Sequence, residues 1–436
     1  MRRLTRRISK ELKAWVSEGL ITAGQEQAIR ARYEQGTGTS WGMILFSGLG
    51  AVVTGLGVIL LFAYNWDGIP KLVKLFLIYG ALAAAHATGI RLFAASRKRR
   101  VVGEACCLLG TMFFGAAIWL VAQIYHIDEH FPTALMIWSA GALMMAWALP
   151  SLAHGILSSL LIVVWCGMEA VAFHAPVHIA PLMILLLLGS LAWRQASRLL
   201  MGFVIPSFLI CLLMVLVTGA GHEGEIVAMV LLNVSVILVA AAGLVFNHAR
   251  ASRFGSIFSL FGWLVFFVLL YAMTFPEAAE DILDIEFGRV SAVPMVYWSL
   301  SAILALSAWA WLIYRCIRQK STYRIPWEHY LLPATVLVSM CGMLQKPDGW
   351  LAALPYNLVL LAVTIGMMMR GCRETNARAA IVGSIVLVVY TFSRYVDLFE
   401  SLLVRGAVFI VIGIAIFVQG VLYNRVKKTA GDDNAD

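Results

Sequence analysis

Arg394 and Asp397 stand three residues apart, and Arg405 follows a few residues later. At that spacing the first two share a helix face and can pair. Arg405, approaching from a neighbouring helix, then leaves one cation over. A guanidinium fork binds carboxylate or phosphate bidentately, so a surplus one near lipid headgroups suits an anionic ligand. The same residues also read as a structural ion pair whose ends snorkel outward and pin a final hairpin. A second candidate substrate-binding group is Asn65, Asp67, Gln123, Tyr125 and His126, at the ends of two apolar segments. If those segments adjoin, their polar turns line one outward-facing pocket; otherwise Asn and Asp cap helix ends at an interface. His86, Glu169 and Asn233 lie deeper in apolar runs, where polar groups are costly unless they face partners or water. His86 could titrate near neutrality, and Glu169 could carry a proton or counter a cation. Taken singly, each reads as a satisfied interhelical hydrogen bond.

Other chemistries find little footing. His126 and His130 would face one way on a helix, as a metal site needs, but Pro132 argues against a helix there. His174 and His178 flank Pro176, and His222 stands beside Glu223 and Glu225. No metal and no other cofactor is expected. The chain has no Gly-Lys dipeptide and hence no P-loop, and no His-Glu-x-x-His. Seven cysteines without a Cys-x-x-Cys read as small apolar packers. No catalytic residue is assigned, and an enzyme is the least favoured reading.

The elements that must position these residues follow from composition. Of 436 residues, 61% are hydrophobic and only 13% charged, with mean hydropathy +0.85. Those values exclude a water-soluble globule and a disordered chain. A helix crosses a bilayer with roughly 20 apolar residues. About fourteen such segments are present, near 44–64, 72–93, 105–125, 132–149, 154–173, 177–193, 199–218, 226–246, 254–275, 293–314, 329–345, 352–369, 379–396 and 402–423. The expected fold is an all-α polytopic transmembrane bundle. Residues 1–42 form a cytoplasmic amphipathic helical hairpin, 43–424 the bundle and 425–436 a cytoplasmic tail.

Charge placement supports that count. With a cytoplasmic N-terminus and fourteen spans, all 33 Lys and Arg fall inside except Lys71, Lys74, Arg289, Lys346, Arg394 and Arg405. Basic residues retained in cytoplasmic loops set orientation. The net charge of +9 is thereby accounted for without a nucleic-acid partner. The expected location is a bacterial inner membrane with both termini cytoplasmic. In the hairpin, Leu12, Trp15, Val16 and Leu20 repeat at helical spacing, Gly19 breaks the helix, and Thr22-Ala23-Gly24-Gln25 offers a capping box. Between Pro276 and Ser291, acidic residues alternate with Ile282, Leu283, Ile285 and Phe287, suggesting a short amphipathic helix on the outer surface.

The run Leu56-Gly57-Val58-Ile59-Leu60-Leu61-Phe62-Ala63-Tyr64-Asn65-Trp66-Asp67, ending at Ile69-Pro70, resembles the hallmark of a bacterial multi-pass membrane-protein family catalogued as domain of unknown function 2157 (DUF2157). Gly19-Leu20-Ile21-Thr22 is similar to that family's leader. Ala122-Gln123-Ile124-Tyr125-His126-Ile127 with Pro132 and Trp138 resembles its next hairpin, and Ser393-Arg394-Tyr395-Val396-Asp397-Leu398-Phe399 its tail. The likeness covers roughly 8–150 and 355–428. It implies a multi-pass inner-membrane protein and no particular activity.

Three function classes follow. A secondary transporter or lipid/amphiphile flippase fits many spans with scattered Gly, Pro and buried polar groups. An accessory or assembly protein of the envelope would use its hairpin and outer loop to hold a cytoplasmic or periplasmic partner. An integral membrane enzyme would act on a lipid-linked anion. Membrane lipids are expected partners in each.

Overall fold

Lipid offers backbone amides no hydrogen-bond partner, so segments that cross it satisfy their own N–H and C=O groups within helices. The computed structural model describes residues 11–12, 15–34, 41–64, 70–95, 99–127, 130–220, 224–246, 248, 251–285, 292–318, 325–398, 410–411, 413–414 and 417–419. All regular structure among them is helical, and every expected segment from 44–64 to 379–396 falls on a helix. The tail at 425–436 and most of the segment near 402–423 lie outside the described residues.

The chain forms two compact units, residues 1–161 and 162–436. The first holds α1 (Ala23–Glu34), α2 (Trp41–Tyr64), α3 (Lys71–Ala95), α4 (Arg100–Tyr125), α5 (Pro132–Ala148) and the first half of α6 (Leu152–Ala172). At α1 the Thr22 amide donates to Gln25 Oε1 (2.9 Å) and the Gln25 amide to Thr22 Oγ1 (3.3 Å). That is the reciprocal capping box read from the sequence. The helices α3 and α4 run antiparallel in close contact because Gly89 and Gly103 let their backbones approach; a methyl on Gly103 would strike the Phe93 backbone. Ile78, Phe113, Ala117, Leu120 and Ile124 form the core along this pair. Against α4 also packs α2, with Gly55 beside Leu109 and Met112.

The second unit continues with α7 (Ile179–Gln195), which carries one π turn at Met183–Leu188, then α8 (Arg198–Ala220), α9 (Gly224–Val245) and α10 (Ser252–Ala272). There follow α11 (Pro276–Leu283), α12 (Ala292–Arg318), a 3-10 turn at Trp327–Tyr330, α13 (Leu331–Gln345), α14 (Gly349–Arg373) and α15 (Ala377–Leu398). Its hub is α9, packed by α8, α10 and α12 and the most buried of the spanning helices. Three polar links tie α12 to it. Asn233 Nδ2 donates to Ser301 Oγ (3.0 Å), Trp309 Nε1 to the Val236 carbonyl (3.1 Å) and Arg315 Nη1 to the Leu244 carbonyl (3.2 Å).

The amphipathic element between Pro276 and Ser291 forms as α11, but its apolar face is covered by protein. Ala279, Leu283 and Ile285 are buried, and Leu283 lies on Gly342. Glu280 Oε2 accepts the Gly349 amide at the start of α14 (2.8 Å), and Asp284 pairs with Lys346 (2.6 Å).

Nine helices among the described residues are long and apolar enough to cross a membrane: α3, α4, α6, α8, α9, α10, α12, α14 and α15. The protein is an all-α, polytopic membrane protein. The expected fourteen crossings are not all met by length. At 17 residues, α5 spans roughly 26 Å against a hydrocarbon core of roughly 30 Å. The same length holds for Ile179–Gln195, and α13 is shorter still at 15 residues.

Candidate functional site

The polar groups of the first unit converge where α3, α4, α5 and α6 meet. Ser151 precedes α6 and acts as its N-cap, Oγ accepting the His154 amide (3.2 Å). The same oxygen contacts His154 Nδ1 (2.9 Å) and Glu104 Oε1 (2.5 Å). On the other edge of the ring, His154 Nε2 meets Thr111 Oγ1 (3.1 Å), which also reaches the Cys107 carbonyl (3.1 Å). Ser151, His154 and Thr111 are buried, and Glu104 is half-buried at the end of the chain of contacts. From α5, Trp138 Nε1 donates to the Thr111 carbonyl (2.9 Å) and fixes that turn of α4.

Beside this chain lies an open cleft of about 240 Å³, lined by Leu82, His86, Thr111, Phe114, Gly141, Met144 and Met145. Its walls are apolar apart from the imidazole and the hydroxyl. His86 Nδ1 lies 3.1 Å from the Leu82 carbonyl. A carbonyl only accepts, so Nδ1 carries a hydrogen. The ring fits because residue 110 is Gly: a methyl there would collide with it. Leu82, His86, Thr111 and Phe114 sit mid-helix on α3 and α4, Met144 and Met145 lie near the end of α5, and Met144 on the rim is 68% exposed.

Among the other expected residues, Arg394 is buried on α15. It donates through Nη2 to the Thr274 carbonyl and lies over the rings of Phe275 (4.3 Å), Trp350 and Tyr390 (5.9 Å each). Asn357 Nδ2 donates to the same carbonyl (2.9 Å), while its Oδ1 accepts Tyr390 OH (2.7 Å). This network joins the end of α10 to α14 and α15. Asp397 falls on α15, but its side chain lies outside the described residues, as do Arg405, Asn65 and Asp67. Gln123, Tyr125 and His126 are exposed at the end of α4. His126 terminates that helix in the left-handed conformation (φ 53°), its amide bonded to the Ala122 carbonyl, so His126 and His130 do not share a helix face. Glu169 accepts Trp165 Nε1 one turn earlier on α6 (3.1 Å), and Asn233 pairs with Ser301 as above.

Sequence reasoning missed Glu104, Thr111, Ser151 and His154. The available signal was the turn Pro150-Ser151, with Ser at a helix start and His three residues on. It also missed a second buried group, where Arg370 pairs with Glu328 and the His329 ring meets Trp263 edge-on (5.2 Å).

No curated protein and no solved structure matches the chain. A family model described as Predicted membrane protein (DUF2157) matches residues 13–155, a stretch that contains the cleft and every member of the Glu104–Thr111 chain. The resembling tail at 355–428 lies outside that match. Residues 13–155 are thus similar to the DUF2157 predicted membrane protein family, the one that the Tyr64-Asn65-Trp66-Asp67 run resembles.

Proposed function

We propose that the protein is a secondary transporter that moves an amphiphile across a bacterial inner membrane, through the cleft of its first unit. The carrying observation is an open apolar cleft among the membrane-length helices α3 and α4 and the shorter α5, with Thr111 and His86 among its lining residues. An acyl chain matches the Leu, Phe and Met lining. Fourteen crossings with both termini cytoplasmic complete the proposal. The short helices α5, α7 and α13 count as spans in it because the bilayer thins locally around a short apolar stretch at modest cost. Unequal distribution of Lys and Arg supports the orientation.

A second reading, an accessory protein of the envelope, draws on one observation. The capped N-terminal hairpin exposes Trp15 (41%) and Leu20 (68%), a surface suited to a cytoplasmic partner. An outer-leaflet anionic site at Arg394, Asp397 and Arg405 would rest chiefly on Arg405, since Arg394 is engaged by Thr274 and three rings.

The test uses the full chain in liposomes carrying a trace of phospholipid with a fluorescent headgroup. Bleaching by a membrane-impermeant reductant reports movement between leaflets. Met144→Trp fills the cleft from its exposed rim. It should slow translocation at least about tenfold, equivalent to roughly 1.4 kcal/mol in the barrier. Met168→Trp, on the exposed face of α6, should leave the rate unchanged. Equal rates in both variants and the wild type would remove the cleft from the mechanism.

A further inference from the structure

The Ser151 hydroxyl has a single hydrogen and three polar neighbours. It accepts the His154 amide, so of the remaining two one must donate to it and the other accept from it. The direction of that chain depends on where a proton sits. With Glu104 ionised and His154 neutral, His154 Nδ1–H donates to Ser151, Ser151 donates to Glu104, and the Thr111 hydroxyl turns to Nε2. With one more proton, His154 Nε2–H donates to Thr111, whose hydroxyl turns to the Cys107 carbonyl 3.1 Å away. Every contact from Glu104 to Thr111 is satisfied in both states.

We propose that Glu104, Ser151 and His154 form a proton-binding site that loads the imidazole beside the cleft. Glu104 is the half-buried entry, at the end of α4 that begins with Arg100. From the state with Glu104 protonated and the ring as its Nε2–H tautomer, with Nδ1 bare, the Glu104 O–H bond breaks as a Ser151 Oγ–H bond forms, and the original Ser151 O–H breaks as His154 Nδ1–H forms. The carboxyl becomes a carboxylate and the imidazole an imidazolium. No electrons change hands, and the proton comes from water at Glu104. Loading fixes the Thr111 hydroxyl on the Cys107 carbonyl and withdraws it from Nε2, changing one of the two polar groups on the cleft wall. The titratable neighbours are His86 from α3 and Cys106 and Cys107 from α4; α5 carries none. Arg100 is engaged over the Phe93 ring (4.3 Å). The coupling of this site to transport rests on the reading of the cleft above; the proton site itself does not.

The test is an infrared titration of the full-length protein in liposomes, following the protonated-carboxyl stretch and the imidazole ring bands. Glu104→Gln assigns the first by its loss and His154→Asn the second. In the wild type both signals should change in the same pH steps, as coupled groups do. Ser151→Ala should split them into separate transitions. His154 is fully buried, so if His154→Asn fails to fold, the ring band that moves in both Glu104→Gln and Ser151→Ala identifies it. A His154 band that is flat across the titration overturns the proposal, as do curves unchanged by Ser151→Ala. Translocation of the fluorescent lipid at each pH separates the two claims. Coincident titration without lipid movement leaves the proton site standing and removes the transport reading. Lipid movement blocked by Met144→Trp, with Ser151→Ala titration curves identical to wild type, does the reverse.

Discussion

The two units use buried polar groups differently. In the second, polar side chains end on carbonyls or on one another within packed helices: Asn233 on Ser301, Trp309 on Val236, Arg394 and Asn357 on Thr274. In these four each donor has an acceptor that cannot exchange roles with it, apart from the amide–hydroxyl pair Asn233–Ser301; elsewhere in the unit the isolated pairs Ser339–Tyr356 and His178–Tyr297 can reverse. In the first, a carboxyl, two hydroxyls and an imidazole follow one another, and every member can donate or accept. The first arrangement fixes helices. The second tolerates a change of charge without losing a contact, and it borders the cleft.

Substitutions in the second unit should therefore cost stability, while those in the first should change rate per folded molecule. The largest stability loss is expected for Arg394→Ala, which removes a bond from a charged donor and its ring contacts. Together these are worth about 2–4 kcal/mol. Thermal unfolding in detergent should show it, with the translocation rate of the surviving folded protein unchanged. A lost rate at normal stability would make Arg394 part of a binding site instead.

Gly110→Val should cost somewhat less, about 1–3 kcal/mol for overpacking against the His86 ring. It should also suppress translocation, because the displaced ring narrows the cleft. A variant with wild-type rate would show that His86 does not shape the passage. Trp138→Phe keeps the ring but loses the bond to the Thr111 carbonyl, about 1 kcal/mol. Its rate should fall as the Thr111 turn loosens, and restored rate in an unfolding-matched control would reduce Trp138 to packing.

The smallest effect belongs to Asn233→Leu. Polar bonds between membrane helices average about 0.6 kcal/mol, so unfolding should shift little and translocation should keep its pH profile. A larger change in rate than in stability would move α9 out of the scaffold.

Much of this organisation was legible in the sequence. Apolar length located the helices, Thr22 and Gln25 announced their capping box, and the acid-rich stretch after Pro276 read as amphipathic. Partners across the fold were not legible. Arg394 has Asp397 at helical spacing, which suggests a local pair, and nothing in that spacing announces the Thr274 carbonyl, 120 residues away, that also accepts from it. Similarly, Glu104, Thr111, Ser151 and His154 lie on two helices that only packing unites, and Ser151 stood out merely as a turn residue. Spacing along one helix is local information. The α11 face shows the same limit, since composition gave its amphipathicity but not that protein, rather than lipid, covers it.

The central claim is that acyl chains enter the first unit between α3, α4 and α5. It is tested most directly by a phospholipid with a photoactivatable acyl chain, illuminated in liposomes containing the full-length protein and mapped by mass spectrometry. The account predicts adducts on Phe114 and Met145, which line the cleft but are only partly exposed, and their loss in Met144→Trp. Adducts confined to fully exposed residues such as Leu72 and Phe76, unchanged by Met144→Trp, would contradict it.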